Sequence, residues 1–282
     1  VSGTLYLVAT PIGNLEDITL RALRVLREAE CVLAEDTRHS RTLLSHHGIQ
    51  TRLESLHAHT NATRIDALAD ALAGGARYAL ITDAGSPLVS DPGAVLVDAA
   101  IARGVRVEAI PGASAVITAL SVAGMRSDHF RFTGFLPRSG KRRREALALI
   151  AKDSSTTILF EAPRRLADTL VDLREACGGA RRAAVCRELT KLHEEVARGT
   201  LDELCEKFPD DARGEITIVV SGLDDSQASE APAISDEDLD ARIDAELARG
   251  GHTKEIASSL AAELSLDPRQ TYRRVLSRKG PG

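Results

Sequence analysis

The sequence predicts two α/β domains followed by a small helical domain. Three observations carry this. Short apolar runs repeatedly end in Pro-, Gly- or Asp-containing loops and lead into amphipathic helical patterns, the rhythm of an α/β chain. The length, 282 residues, is more than one small core needs. Near the end, the Asp-, Ser-, Ala- and Pro-rich stretch Leu223–Ile234 reads as a linker ahead of three short helical patterns. The expected division is 1–123 and 124–222 for the α/β domains, 223–234 for the linker and 235–282 for the helical domain.

Thr4–Ala9 opens as a strand and runs into Thr10-Pro11-Ile12-Gly13-Asn14, with a helix expected over Leu20–Ala29. A dinucleotide fold would place G-x-G-x-x-G at this turn, and the motif is absent. Cys31–Ala34 is a second strand, ending in Glu35-Asp36-Thr37-Arg38. Either Asp36 or Thr37 can cap the next helix, or the paired carboxylates Glu35 and Asp36 belong to a polar site. Arg52–His57 is a third strand, and Asn61–Ala73 is a helix with Ile65, Leu68, Ala69 and Leu72 inward, stopped by Gly74-Gly75. The H-x-H of His57 and His59 has no evident third metal ligand and reads as a loop or cap.

Arg77–Gly93, RYALITDAGSPLVSDPG, is the most informative stretch. Its apolar start reads as a strand buried on both faces. Its end is a stiff acidic loop in which glycine allows close backbone approach. Ligands of open α/β sheets sit at the carboxyl ends of strands. Gly93–Arg103 follows as a helix with Val95, Leu96, Ala99 and Ala100 inward, then strand Val105–Ile110 and the small-residue turn Pro111-Gly112-Ala113-Ser114-Ala115. Two such loops at one sheet edge point to a binding site.

Gly124–Asp128 reads as a hinge and Thr133–Pro137 as the end of a strand. Ser139–Arg144, SGKRRR, opens a helix with the densest basic cluster in the chain. Cations at a helix N-terminus oppose its dipole, so Lys141, Arg142, Arg143 and Arg144 are candidates for a polyanion. The second half continues with strand Thr156–Phe160, helix Pro163–Cys177, strand Ala183–Leu189, an antiparallel segment Glu194–Gly199 and strand Glu215–Ser221. The terminal helical patterns are Asp236–Ala248, Thr253–Leu264 and Pro268–Ser277, a helix-turn-helix-like set whose last member is basic through Arg269, Arg273, Arg274, Arg278 and Lys279.

Composition narrows the classes. Net charge is −5, so nucleic acid would have to be met by local basic patches. Arginine outnumbers lysine 30 to 6 and tryptophan is absent, so aliphatic residues build the cores. No apolar run approaches the roughly 20 residues of a membrane span, and the N-terminus lacks a signal-peptide pattern. Cys31, Cys177, Cys186 and Cys205 are scattered, as in a protein of the reducing cytoplasm.

Taken together, the motifs carry a resemblance. Thr10–Leu15, Ala34–Arg38, Asp83–Pro87 with Ser90–Gly93, Pro111–Ala115, Gly134–Pro137 and Arg187–Lys191 occur in this order. From Gly3 to about Gly222 the chain closely resembles the bacterial ribosomal RNA cytidine ribose 2′-O-methyltransferases of the tetrapyrrole methylase superfamily. The resemblance implies S-adenosylmethionine bound between two α/β domains of that type, with no metal. It implies cofactor contacts from Pro11, Asp83, Ala84, Gly85, Ser86, Ser114 and Ala115 on one side and Phe160, Leu189, Gly214 and Glu215 on the other. It also implies a homodimer and 16S rRNA, in the assembled small subunit, as partner. RNA contacts are expected at Lys141, Arg142, Arg143, Arg144, Arg273 and Arg274. A ribose hydroxyl is a poor nucleophile, so a general base or an alkoxide-stabilising cation is expected. Lys191, Glu35 and Asp36 are the candidates, and sequence does not choose among them. Methylation of a tetrapyrrole or other small acceptor, or RNA binding without catalysis, are the alternatives.

Overall fold

In the computed structural model the described residues are 3–57, 59–88, 93–210, 212–223, 236–249, 252–263 and 268–279. Ser90, Asp91 and Pro92 of the Asp83–Gly93 loop, and linker residues 224–234, lie outside them. The chain divides into two compact units, Val1–Leu223 and Asp224–Gly282.

The first half of the larger unit is a five-stranded parallel sheet of β1 (Thr4–Val8), β2 (Cys31–Ala34), β3 (Leu53–Ser55), β4 (Arg77–Ile81) and β5 (Arg106–Ile110), in the order β3-β2-β4-β1-β5. An all-parallel sheet must be covered on both faces, and it is. Leu5, Leu33, Leu72, Leu80 and Leu96 form one core, and Val8, Leu26, Val32, Ile81 and Ile110 form the other. The helices are α1 (Leu20–Glu28), α2 (Thr37–His46), α3 (Ala62–Ala73) and α4 (Ala94–Ala102). Thr19, Asp36 and Asn61 each accept a backbone N–H at a helix start, which fixes where α1, α2 and α3 begin. One inward assignment fails. Leu96 and Ala100 set the buried stripe of α4, and Val95, one residue out of phase, is 66 % exposed.

The second sheet comprises β6 (Phe130–Phe135), β7 (Thr156–Glu161), β8 (Arg182–Arg187), β9 (Glu195–Thr200) and β10 (Ile216–Val220), ordered β6-β7-β10-β8-β9. The expected antiparallel pairing of β9 with β8 is present. The last strand, β10, inserts antiparallel between β7 and β8, where all five of its residues are buried. Helices α6 (Gly140–Lys152), α7 (Leu166–Cys177) and α8 (Leu201–Lys207) belong to this half. The sequence reading placed no element at α8, although Thr200 and Glu203 form a capping box there.

Helix α5 (Ala115–Ala123) leaves the first sheet and packs on the second. Its Val116, Ala119, Leu120 and Ala123 share one core with Ile12, Ile158, Ala184, Cys186, Leu189 and Val219. The two halves are thereby joined through apolar surface, the dominant favourable term in folding, beside the cleft between them. It ends at Gly124, whose left-handed φ of +71° suits the helix stop.

The smaller unit packs α9 (Asp236–Ala248), α10 (Thr253–Glu263) and α11 (Pro268–Lys279) around Leu239, Ile243, Ile256, Leu260 and Val275. Arg274 donates to Asp240 at 2.7 Å, and Arg278 pairs with Asp240 and Asp244. Acidic partners on α9 thus neutralise part of the basic face of α11. Arg274, expected to meet RNA, is committed to this pair, whereas Arg273 is exposed.

Candidate active site

At the carboxyl edge of the parallel sheet, the turns after β1, β4 and β5 stand side by side because β1 pairs with both β4 and β5. Thr10 and Gly85 exchange backbone hydrogen bonds of 2.9 and 3.1 Å, and the Thr10 hydroxyl donates to the Thr82 carbonyl at 3.1 Å. Gly85 has a φ of +83°, a conformation costly for a side-chain-bearing residue. These bonds hold the acidic loop open toward the second half.

The main cavity of the cleft, of about 430 Å³, lies there. Nine of the eleven expected cofactor residues line it: Asp83, Ala84, Gly85, Ser86, Ser114, Ala115, Phe160, Gly214 and Glu215. Two do not. Leu189 is buried in the core beneath, and Pro11 lines a neighbouring cavity of about 180 Å³. The sequence reading did not single out the Ile12, Phe135 and Glu161 walls. Phe160 is fixed by ring contacts with Phe132 and Phe135 at centroid distances of 4.9 and 5.7 Å. The smaller cavity shares Ile12, Asp83, Ala84 and Glu215 with the main one and adds His39, Ser40, Thr82 and Lys191.

Lys191 is positioned by an unusual turn. Glu188 and Thr190 have left-handed φ angles of +52° and +66°, which glycine alone adopts cheaply. The turn is held from several sides. The Asn14 N–H of the first half donates to the Thr190 hydroxyl at 3.1 Å, and the Thr190 N–H donates to the Glu194 carboxylate at 2.6 Å. Backbone strain maintained by this many partners clusters at functional sites. The fit is close: a Cβ on Gly13 would lie 2.5 Å from Lys191 Cγ, and one on Gly214 would overlap the Glu188 carboxylate.

The Lys191 ammonium donates to Glu188 Oε1 at 2.9 Å and lies 3.2 Å from Glu215 Oε2. Burial disfavours its charge, but the hydrogen bonds and charges of Glu188 and Glu215 outweigh burial and leave its pKa raised. Glu188, which also accepts the Glu215 N–H at 2.9 Å, is held below the usual carboxylate range by Lys191 and that N–H. Lys191 is therefore a cation at neutral pH and cannot accept a proton.

The other two candidates stand elsewhere. Asp36 caps α2 and forms two side-chain hydrogen bonds with Arg38, at 3.2 and 2.9 Å. Bonds from the Arg38 side chain and N–H lower its carboxyl pKa to about 2, which makes it a feeble base. Its backbone N–H donates to Asp83 Oδ1 at 3.3 Å, so it braces the acidic loop. Glu35 and Asp36 line neither cavity. The four cysteines are free and apart, and burial raises each thiol, Cys186 to about 11.

The basic cluster divides. Lys141, Arg142 and Arg144 are exposed, but Arg143 is 7 % exposed and bonded to Asp172, Pro137 and Thr169 at 2.6, 3.0 and 3.0 Å. Arg143 is a correction to the expected RNA contacts, since each nitrogen of its guanidinium is already bonded inside the protein. Arg138, Arg144 and Arg165 line an open cavity of about 530 Å³ between the starts of α6 and α7. Arg138 and Arg144 have no ion-pair partner among the described residues.

A cleft between a parallel sheet and a mixed sheet, with no glycine-rich nucleotide fingerprint, defines a two-domain α/β fold outside the Rossmann class. The chain belongs to the tetrapyrrole methylase family: residues 4–205 match the model of the Tetrapyrrole (Corrin/Porphyrin) Methylases. Within it, the chain groups with proteins named ribosomal RNA small subunit methyltransferase I. It is 43 % identical to that of Halalkalibacterium halodurans over 96 % of this chain and 93 % of the relative. It is 44 % identical to that of Mycobacterium tuberculosis (strain CDC 1551) over 100 % and 98 %. Among solved structures it shares its fold with uroporphyrin-III-C-methyltransferase from Thermus thermophilus (TM-score 0.57, 23 % identity, 78 % of this chain and 94 % of that one). Diphthine synthase is similar to the same degree (TM-score 0.58, 18 % identity, 78 % and 90 %).

Proposed function

We propose that the chain transfers a methyl group from S-adenosylmethionine to the ribose 2′-hydroxyl of a cytidine in small-subunit 16S rRNA. The observation that carries this reading is the pair of adjoining cavities with a fixed lysine cation on the smaller one. The larger fits the cofactor. Its walls combine apolar Ile12, Ala115 and Phe160 with polar Asp83, Ser86 and Glu215, and glycines 85 and 214, both at positive φ, leave backbone bare for close approach. The relatives' names support rRNA as the acceptor. Bound there, the cofactor supplies an activated methyl on a sulfonium, so no metal is required. Lys191 stabilises the charge that develops on the hydroxyl oxygen as its proton departs to solvent, and the Asp83 and Lys191 loops orient the two partners. The test adds radiolabelled S-adenosylmethionine to small subunits lacking the modification and maps the label. Label absent from a cytidine ribose would overturn the reading.

Gly85→Val should weaken cofactor binding about tenfold or more, because holding valine at positive φ costs about 1–3 kcal/mol. Calorimetric titration alongside a thermal melt checks this, and unchanged affinity removes the loop from the site.

RNA would be gripped by the exposed cations. Replacing Arg138, Arg142 and Arg144 with serine should lower the logarithmic salt slope of subunit binding by about 0.7–0.9 for each phosphate no longer neutralised. Cofactor affinity should stay the same. A wild-type slope would reduce the cluster to a solvated helix start.

A cytoplasmic homodimer is part of the same proposal. The resemblance supports it, as do Val95 and Ile101, which α4 leaves exposed. Sedimentation equilibrium showing a monomer at micromolar concentration would remove it.

A further inference from the structure

The smaller cavity carries one titratable side chain that methyl transfer, as proposed, leaves without a task. The titratable residues lining it are His39, Asp83, Lys191 and Glu215. Lys191 is held as a cation between Glu188 and Glu215. Asp83 accepts the Asp36 N–H at 3.3 Å. His39 is exposed, and its ring makes no hydrogen bond, ion pair or ring contact among the described residues. Residues 39, 43 and 47 are spaced by four, so their side chains form one stripe along α2. That stripe faces the turn after β1. Leu43 and Leu15 line the cavity together, and the His47 ring nitrogen Nε2 lies 3.2 Å from the Leu15 carbonyl. His39 is the member of the stripe in the first turn of α2, where the helix start rests on the Asp83 loop. Ile12, Asp83, Ala84 and Glu215 line both cavities and mark where the two spaces meet. His39 and Lys191 lie on the smaller cavity alone, the acceptor side of that boundary.

We infer that His39 is the first acceptor of the proton that leaves the ribose hydroxyl, while Lys191 holds the oxygen as charge develops on it. This rests on the function proposed above and names the group that carries the proton toward solvent. The hydroxyl oxygen forms its bond to the methyl carbon as the sulfonium–methyl bond breaks, and the cofactor keeps that electron pair as a thioether. The oxygen–hydrogen pair stays on oxygen. The proton passes to a neutral imidazole nitrogen and then, because His39 is exposed, to water. The other groups are poorer acceptors. Lys191 is already protonated, and Glu215 is paired with it. Asp36, on the same helix start, lines neither cavity and is paired with Arg38. A carboxylate is intrinsically a weaker base than an imidazole, which sets Asp83 behind His39. General-base catalysis is most efficient when the base titrates near the working pH, the range that histidine serves.

Single-turnover methylation of small subunits, with protein in excess, decides the assignment. The wild-type rate should rise between about pH 5.5 and 7.5, where imidazoles lose their proton, and then level off. His39→Gln should lower the plateau by about 10²–10⁴-fold and abolish the rise. Its melting temperature and S-adenosylmethionine affinity should match wild type, because the ring makes no internal bond and lies off the main cavity. A variant rate within a few-fold of wild type, or a rise that persists in the variant, would overturn the assignment and leave His39 a solvated surface residue. The two proposals fail separately. Label on a cytidine ribose with no dependence on His39 sinks only this one. Label on a different acceptor hydroxyl, with the dependence on His39 intact, sinks the proposed acceptor and leaves His39 in its role.

Discussion

Single-turnover methylation of the small subunit by Lys191→Ala falls about 10²–10³-fold, the usual loss when one oxyanion-stabilising donor is removed. Cofactor affinity changes little, because Lys191 lies on the smaller cavity and not on the main one. The pH profile identifies the role. Glu188 and Glu215 raise the lysine pKa above its ordinary value, so the cation is fully present at neutral pH. Its contribution to rate and stability is lost only as pH rises through that raised value, beyond the usual lysine pKa of about 10.4. The wild-type rate should therefore show no inflection from Lys191 between about pH 7 and 9. A general-base lysine would give a rate that climbs across this range, and Lys191→Ala would abolish the climb. A variant rate within a few-fold of wild type would reduce Lys191 to a structural ion pair. Asp36 would be a poor replacement, since its carboxyl pKa of about 2 leaves little basicity.

The parallel sheet was legible because β1, β2 and β4 are largely apolar runs closed by loop signals, and the capping residues Thr19, Asp36 and Asn61 stand one residue before their helices. The Asp83 and Pro111 loops were found for the same reason: parallel strands bring their carboxyl ends to one edge. The second sheet was less legible. Nothing local says that β10, last in the chain, inserts between β7 and β8. Two misses had readable signals. The T-x-x-E of Thr200 and Glu203 announces α8, and the helical phase of Arg143 with Leu147 and Ile150 marks it as an inward position. Charge density along the chain hid that phase. The turn that fixes Lys191 was not readable, since its strain depends on Asn14, Glu194 and Glu215, which only the fold brings together.

Arg143→Ser destabilises the larger unit by about 3 kcal/mol, the low end for breaking a buried charged pair. The low end applies because the Asp172 side chain is 36 % exposed and can recover water. More than one bond is removed. Arg143 links the Pro137 carbonyl, Asp172 and the Thr169 hydroxyl, and Thr169 in turn donates to Glu161 at 2.6 Å. Glu161 is fully buried on the wall of the main cavity, with Arg165 at 3.3 Å. For a domain of this size the melting temperature should drop by roughly 6–12 °C. Arg144→Ser, one residue on and exposed, should stay within about 0.5 kcal/mol of wild type while weakening RNA binding. The two neighbours thus separate a structural arginine from an RNA-facing one. Equal melting temperatures would mean that the Arg143 network carries no stability. Loss of RNA affinity in Arg143→Ser at a temperature where the variant is fully folded would restore Arg143 to the RNA contacts.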